Sequence, residues 1–341
     1  MRNTTEGIMA EIAKGTFVPH APLTRMALTY YQNAENYFAK SLFPVCPVTQ
    51  SAGKYYDFSR ADLLRDDWKH KPAYGKVDPA VLGEMLKVYA CDVDQIIMGI
   101  DQIKQTDLLR RIGPSVANPK QQRTKSIAEK ANIHQDRLFA DSFFKEGVWK
   151  NEKTGVDSTT PEAGQFIKFS NDNSDPIDFI DKEKTRMKQL TGRTPNRMGI
   201  GANVYDCLKN HPAMRECVRY GGSTANPAKV NLNVLAQLFG MEKIVVMDSI
   251  MNDAQLGEEE NMQYIGDPNA FLLVYATSAP RVDEPSAGYI FSWDMLGDGM
   301  ILPILNYPGE GGTHAEFVEG LMATDMRKVS DDLACFYKDA V

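Results

Sequence analysis

Residues 190–220, LTGRTPNRMGIGANVYDCLKNHPAMRECVRY, and residues 230–252, VNLNVLAQLFGMEKIVVMDSIMN, form the stretch whose reading decides the fold. Just upstream, Asp175 is a good N-cap and Pro176 suits the first helical position, where a missing N–H costs nothing. Ile177, Ile180, Met187 and Leu190 recur at helical spacing, and Gly192 supplies the stop. After Thr194-Pro195-Asn196 the pattern predicts a short strand, Arg197 to Ile200, entering a helix at Asn203 that buries Val204, Cys207 and Leu208. His211-Pro212 restarts that helix with Met214 and Val218 inward. Asn231 caps another, bearing Leu232, Leu235 and Leu238 and closed by Gly240. Ile244-Val245-Val246-Met247 then reads as a buried strand. Strand, helices and strand in this order specify an α/β layer to which the remaining chain is appended.

The two quoted phrases resemble the central domain of tailed-phage major capsid proteins, which have the Hong Kong 97-type fold. The likeness extends to residues 23–60, LTRMALTYYQNAENYFAKSLFPVCPVTQSAGKYYDFSR, and to residues 285–293, PSAGYIFSW, and covers about three-quarters of the chain. It implies an α+β chain that self-assembles into an icosahedral shell around double-stranded DNA. Implied too are residues 1–25 as an N-terminal arm and 26–44 with 93–190 as a peripheral domain holding a spine helix over 118–145. Residues 45–92 would be an extended loop, 191–312 an axial domain, and 313–341 C-terminal strands returning to the peripheral domain. The matching segment begins near Leu23, so scaffolding is expected from a separate protein, beside portal and decoration proteins. Assembly would take place in the host bacterial cytoplasm.

Composition is consistent with this. The 341 residues are 43% hydrophobic and 24% charged, with five cysteines scattered outside any CxxC pair. That pattern points to a reduced, intracellular environment and to one large domain or two closely joined ones. A formal net charge of −7 is unlike that of a sequence-reading DNA binder. Mild acidity suits a container that must not hold its polymer by phosphate contacts. Residues 1–15 lack the apolar run of a secretory signal, and no stretch approaches a transmembrane span.

In chain order, residues 1–24 have no clear period and read as an arm that orders only against neighbours. Leu28, Tyr31, Ala34, Phe38 and Leu42 mark a helix ending before Pro44. Residues 54–58 alternate as a half-exposed strand, and a second extended run lies within 81–93. Between them, 59–78 is dense in Arg, Lys and Asp and holds Trp68, Lys69, Lys71 and Tyr74. Composition alone favours a solvated surface loop. The resemblance reverses that, placing these four residues in contact with another subunit. Asn118-Pro119 opens a helix to about Lys145 with a thin seam, Ile127, Ala131, Leu138 and Phe143. Lys120, Arg123, Lys125, Lys130 and Arg137 make it locally basic, a solvated face or a non-specific contact with packaged DNA. Phe166 to Phe169, Ala270 to Ala276 and Tyr289 to Trp293 are expected strands, followed by short alternating segments (Phe317, Val318, Met322; Leu333, Cys335, Tyr337).

Signs of chemistry are weak. Gly199-Ile200-Gly201 invites a dinucleotide reading, but Val204 stands where the third glycine belongs and no acidic residue follows at ribose distance. Close strand–helix packing accounts for the glycines better. The five histidines stand singly, and no catalytic residue, cofactor or metal ligand is assigned. Two alternatives are an encapsulin-type compartment shell and, more remotely, a soluble α/β enzyme with a degenerate nucleotide site. Cys46 and Cys91 are expected opposite each other at the base of the hairpin as reduced thiols. The lysines of 59–78, including Lys69, Lys71 and Lys76, are surrounded by charge and expected to stay protonated, so the shell is expected to be non-covalent.

Overall fold

The computed structural model describes residues 37–58, 64–71, 73–80, 84–103, 106, 119–221, 230–255, 257–278, 285–295 and 300–341. Helix α1 (Ala39–Leu42) leads into strands β1 (Val45–Val48), β2 (Ala52–Phe58), β3 (Glu84–Ala90) and β4 (Asp92–Asp101). The long helix α2 (Pro119–Phe143) precedes β5 (Glu152–Val156), β6 (Gln165–Ile167), α3 (Pro176–Thr191) and β7 (Arg197–Gly201). Then come α4 (Ala202–Asn210), α5 (Pro212–Gly221), α6 (Leu232–Phe239), β8 (Lys243–Met247), β9 (Ile250–Asn252) and β10 (Met262–Tyr264). The last strands are β11 (Phe271–Val274), β12 (Gly288–Trp293), β13 (Ile304–Pro308), β14 (Ala315–Lys328) and β15 (Ala334–Lys338). The expected N-terminal arm and the start of the helix expected over 27–42 lie outside the described residues.

The stretch that opened the sequence reading folds as its local signals dictate. Asp175 accepts hydrogen bonds from the N–H groups of Ile177 and Asp178, and Gly192 closes α3 in the left-handed conformation. Asn231 accepts from the N–H of Val234, and Gly240 ends α6 with φ 58°. β7 and β8 pair in parallel, Arg197 opposite Lys243, with α4 to α6 as the crossover. The two glycines of β7 are packing residues. A Cβ on Gly201 would lie 2.3 Å from the Pro268 carbonyl oxygen, and one on Gly199 2.8 Å from Leu42 and Met247. His211 is buried, its Nδ1 accepting from the N–H of Ala213 and its Nε2 3.0 Å from Ser174 Oγ. It therefore joins the start of α5 to the loop before α3.

These strands belong to a six-stranded sheet ordered β6-β5-β15-β11-β7-β8. Phe271, Leu273, Cys335 and Tyr337 face one core with α3 to α6, whereas Leu272, Val274, Ala334 and Phe336 face a second core. Burial on both faces explains why AFLLVYA shows no alternation. The second core holds Phe38 and Phe43, Trp149 and the C-terminal end of α2, where Phe139 and Phe143 meet edge to face at 5.1 Å.

The other large sheet is built on β14. It pairs with β4 along Ala315–Thr324, with β13 along Glu316–Gly320 and with β12 along Thr324–Lys328, and β1 adds in parallel to β12. This differs from the short alternating segments read at the C-terminus. Residues 318–324 of β14 are buried without a break because strands flank it and α2 covers it. β15 inserts between β11, of the 191–312 segment, and β5, of the 93–190 segment.

Helix α2 is about 37 Å long at 1.5 Å per residue. Its buried face runs Thr124, Ile127, Ala128, Ala131, Asn132, Gln135, Asp136, Phe139, Ala140 and Phe143. The seam is thus wider and more polar than expected, and Leu138 is only half-buried. Asp136 stands on it because two hydrogen bonds satisfy its oxygens: Oδ1 accepts from the N–H of Ala39 at 3.0 Å and Oδ2 from Ser249 Oγ at 2.7 Å. One carboxylate thereby ties α1, α2 and the β8–β9 turn together. Burial pushes its pKa up to about 6, against the hydrogen bonds and Lys40, whose own pKa burial lowers to about 6. A raised carboxyl contributes stability at acid pH that is lost as pH rises through about 6, a cost of roughly 3 kcal/mol above it. Asp136→Asn can keep both hydrogen bonds without the charge. Urea unfolding should find it more stable than wild type by about 1–3 kcal/mol at pH 8, the gap closing by pH 4. A gap that does not change with pH would contradict this account.

Candidate subunit interface

β2 and β3 form a two-stranded ribbon with Ala52 opposite Ala90 and Phe58 opposite Glu84. Its lower end is anchored. Tyr89 stacks on Phe291 with centroids 4.6 Å apart, Tyr55 lies against the same ring at 5.5 Å, and the Tyr55 hydroxyl donates to the Lys328 carbonyl. Gly53, opposite Tyr89, leaves room for that ring, since a Cβ there would lie 2.5 Å from the hydroxyl. On the other face Leu86 and Val88 are 53% and 56% exposed. A two-stranded ribbon is marginal in water by itself, and the contacts of Tyr55 and Tyr89 hold one face of this one to its own subunit while Leu86 and Val88 stay open on the other.

The cysteines occupy different places from those expected. Cys46 lies in β1 opposite Phe291, outside the ribbon, and Cys91 follows β3 with its thiol 3.8 Å from the Phe291 carbonyl. Both are buried free thiols in one cluster around Phe291, and burial pushes Cys91 up to about 12. The symmetric register was wrong because the strand leading into the ribbon ends at Val48, and Ala52, not Cys46, begins the pairing.

The tip carries the four residues singled out from the sequence. Trp68 is 95% and Tyr74 107% exposed, and Lys69 and Lys71 are exposed beside them. The N–H of Trp68 donates to Asp66 Oδ1 at 3.1 Å, a local turn. Tyr74 sits at φ 65°, a left-handed conformation costing about 1–2 kcal/mol for a residue with a Cβ. Sequence proximity alone brings these residues together.

A second surface escaped the sequence reading. In the β9–β10 hairpin Ile250 pairs with Tyr264 and Asn252 with Met262, which places all four on one face. Ile250, Tyr264 and Met262 are exposed there. Ile250 and Met262 border a groove of about 660 Å³ whose other lining includes Lys130, Ile133, His134 and Arg137 of α2 and Asp94 of β4. Strands of three residues are too short for periodicity to reveal, and only the register shows the apolar face. Lys120, from the basic set on α2, bonds Glu316 of β14, whereas Lys130 and Arg137 are exposed. Among the described residues no cluster of three or more His, Cys, Asp or Glu could hold a metal, and no helix is long and apolar enough to cross a membrane.

No protein-family model matches the chain. It is 24% identical over 233 residues to the major capsid protein of Burkholderia phage BcepMu, covering 68% of this chain and 69% of that one. A phage-related protein from Bordetella bronchiseptica RB50 superposes with a TM-score of 0.68 at 18% identity, covering 95% and 98% of the two chains. A prophage protein from Escherichia coli CFT073, described as a capsid protein, gives 0.53 at 14% identity over 94% and 99%. An encapsulin from Synechococcus elongatus PCC 7942 gives 0.50 at 11% over 90% and 89%. The fold is the Hong Kong 97-type capsid fold, in an α+β chain homologous to a phage major capsid protein.

Proposed function

We propose that this chain is the major capsid protein of a tailed bacteriophage, a structural subunit that assembles into the icosahedral shell around double-stranded DNA. The observation that carries this reading is the β2–β3 ribbon: anchored at one end, apolar on an open face, and ending in two fully exposed aromatic side chains. Such an element is completed by another copy, with Trp68, Lys69, Lys71 and Tyr74 as contact residues. Repeated heterologous contacts of this kind close into pentamers and hexamers. In this reading residues 191–312 form the axial domain and α2 is the spine of the peripheral one. The exposed basic residues of α2 make non-specific contacts with packaged DNA. Assembly takes place in the host cytoplasm with a separate scaffolding protein, the finished shell adds portal and decoration proteins, and the subunit performs no catalysis. The encapsulin likeness supports a second reading with the same fold and protein cargo in place of DNA.

Electron microscopy and light scattering on concentrated protein, with and without its scaffold, test the proposal. Closed shells are expected, and their contents, nucleic acid or a cargo enzyme, separate the two readings. A protein that stays monomeric in both conditions would overturn it.

A further inference from the structure

Strand β15 joins two halves of the six-stranded sheet. Its antiparallel ladder with β11 sets Tyr337 opposite Phe271 and Ala334 opposite Val274. Its parallel ladder with β5 sets Phe336 opposite Glu152 and Lys338 opposite Thr154. Among the described residues no other strand pair connects β5 and β6 to β11, β7 and β8. The strand also fills both cores at once. Tyr337 is fully buried in the first, stacked on Phe271 with centroids 4.3 Å apart. Phe336 lies in the second, edge to face with Phe144 at 5.3 Å. The Tyr337 hydroxyl donates to Glu183 of α3, and Lys338 pairs with Glu146, partners 154 and 192 residues away in the chain. Beyond the strand, the Ala340 carbonyl accepts from the N–H of Phe169, after β6, and the Ala340 N–H donates to the Asn269 carbonyl, before β11. One short segment therefore clamps β5 and β6 to the rest of the sheet.

With β15 out of place, the edges of β5 and β11 lose their ladder partners, and Phe271 and Phe144 lose the rings that cover them. Open edges beside apolar side chains pair with whatever strand is exposed. Pairings so distant in the chain form late, because closing the loop costs entropy before any contact is made. We propose that β15 is the closing strand of the subunit: β5, β6 and β15 dock and release as one unit, and a subunit whose slot is open is withheld from assembly. In a chain that joins its own copies, an open slot would capture a neighbour's strand in place of the native one. Closure before assembly keeps the two kinds of pairing apart. The gate on assembly rests on the capsid reading, whereas the closing unit does not.

Hydrogen exchange on the full-length chain, read peptide by peptide, tests the unit. Amides of β5, β6 and β15 should share one opening equilibrium and exchange about tenfold or more faster than those of β12, β13 and β14. Ile304→Ala, at a fully buried position of β13, weakens the closed and the slot-open forms alike. It should speed exchange of β13 and β14 about tenfold or more and leave β5, β6 and β15 as in wild type. Tyr337→Ala weakens the closed form alone and should speed exchange in both sets. If that chain fails to fold, Tyr337→Phe, which keeps the stacked ring, gives the same test in milder form. The closing unit is overturned if both sheets exchange alike, if β5 and β6 stay protected where β15 exchanges, or if Ile304→Ala speeds every strand. For the gate, the chain is refolded from urea at a concentration that gives shells, with pulse labelling and light scattering followed together. Scattering from shells should rise only after β15 is protected, and shells that form while β15 still takes up label would overturn the gate. If wild type makes no shells, the gate falls with the capsid reading, and the exchange result still decides whether β15 closes the sheet.

Discussion

Glu183→Ala should destabilise the subunit by about 3–5 kcal/mol, a large share of the usual 5–15 kcal/mol of a domain. The Glu183 side chain, on α3, is 6% exposed and sits at the centre of the first core. It accepts hydrogen bonds from the Tyr337 hydroxyl at 2.6 Å, from Lys153 Nζ, and from Arg186 Nε at 3.0 Å. Burial alone would push its pKa up, but the hydrogen bonds from Lys153 and Tyr337 and the charges of Lys153 and Arg186 outweigh it, leaving the carboxyl below its ordinary value. Truncation leaves a fully buried tyrosine hydroxyl without its acceptor and a lysine ammonium, mostly buried, without its counter-charge. A carboxyl with a depressed pKa contributes stability above its unfolded value, near 4.3, that is lost as pH falls through the lower folded value. Glu183→Gln keeps the volume and should cost less. Its deficit in urea unfolding should be largest at neutral pH and shrink below about pH 4. A deficit equally large at pH 3 would show that packing, not charge, is what the residue supplies.

Removing the tip should have the opposite profile: no loss of fold and complete loss of assembly. Deleting residues 59–78 leaves Phe58 and Glu84, already paired, joined by residues 79–83. That is a connection of hairpin length. The anchoring contacts of Tyr55 and Tyr89 on Phe291 lie at the far end of the ribbon and are untouched. The described part of the tip contributes almost nothing to the core, with Trp68 and Tyr74 wholly in solvent. Thermal unfolding of the deletion variant should stay close to that of wild type, and sedimentation should find subunits or small oligomers at concentrations where wild type forms shells. Shells of normal size from this variant would remove the ribbon from the assembly mechanism. A variant that fails to fold would show instead that the tip belongs to the subunit's own core.

The caps and most element boundaries between Asp175 and Met247 were legible because their determinants are local, although Leu190, read on the inward stripe, is exposed and Cys207 is only half-buried. An aspartate that caps, a glycine that turns left-handed and a proline without an N–H act within a few residues of themselves. The buried strand at 271–274 was equally visible as an uninterrupted apolar run, and that at 288–293 as a mostly apolar segment following turn residues. Pairing was not. Nothing in Ala334–Lys338 says that it lies between β11 and β5, and nothing in Asp136 says that its acceptors are met by Ala39 and Ser249, 97 and 113 residues away. Cys46 and Cys91 failed as a hairpin pair because symmetry in sequence is not register. The tip residues were found from composition and resemblance, but the apolar face of β9–β10 was not, since three-residue strands carry too little pattern. By itself the sequence determined the caps, the helix and strand boundaries of the central block, and the exposed charge of the tip, all consequences of short-range sterics and hydrogen bonding. Only the tertiary structure decided which strands pair, which polar groups are buried with partners, and which surfaces stay open, because those depend on contacts between residues that the chain separates and only the folded core brings together.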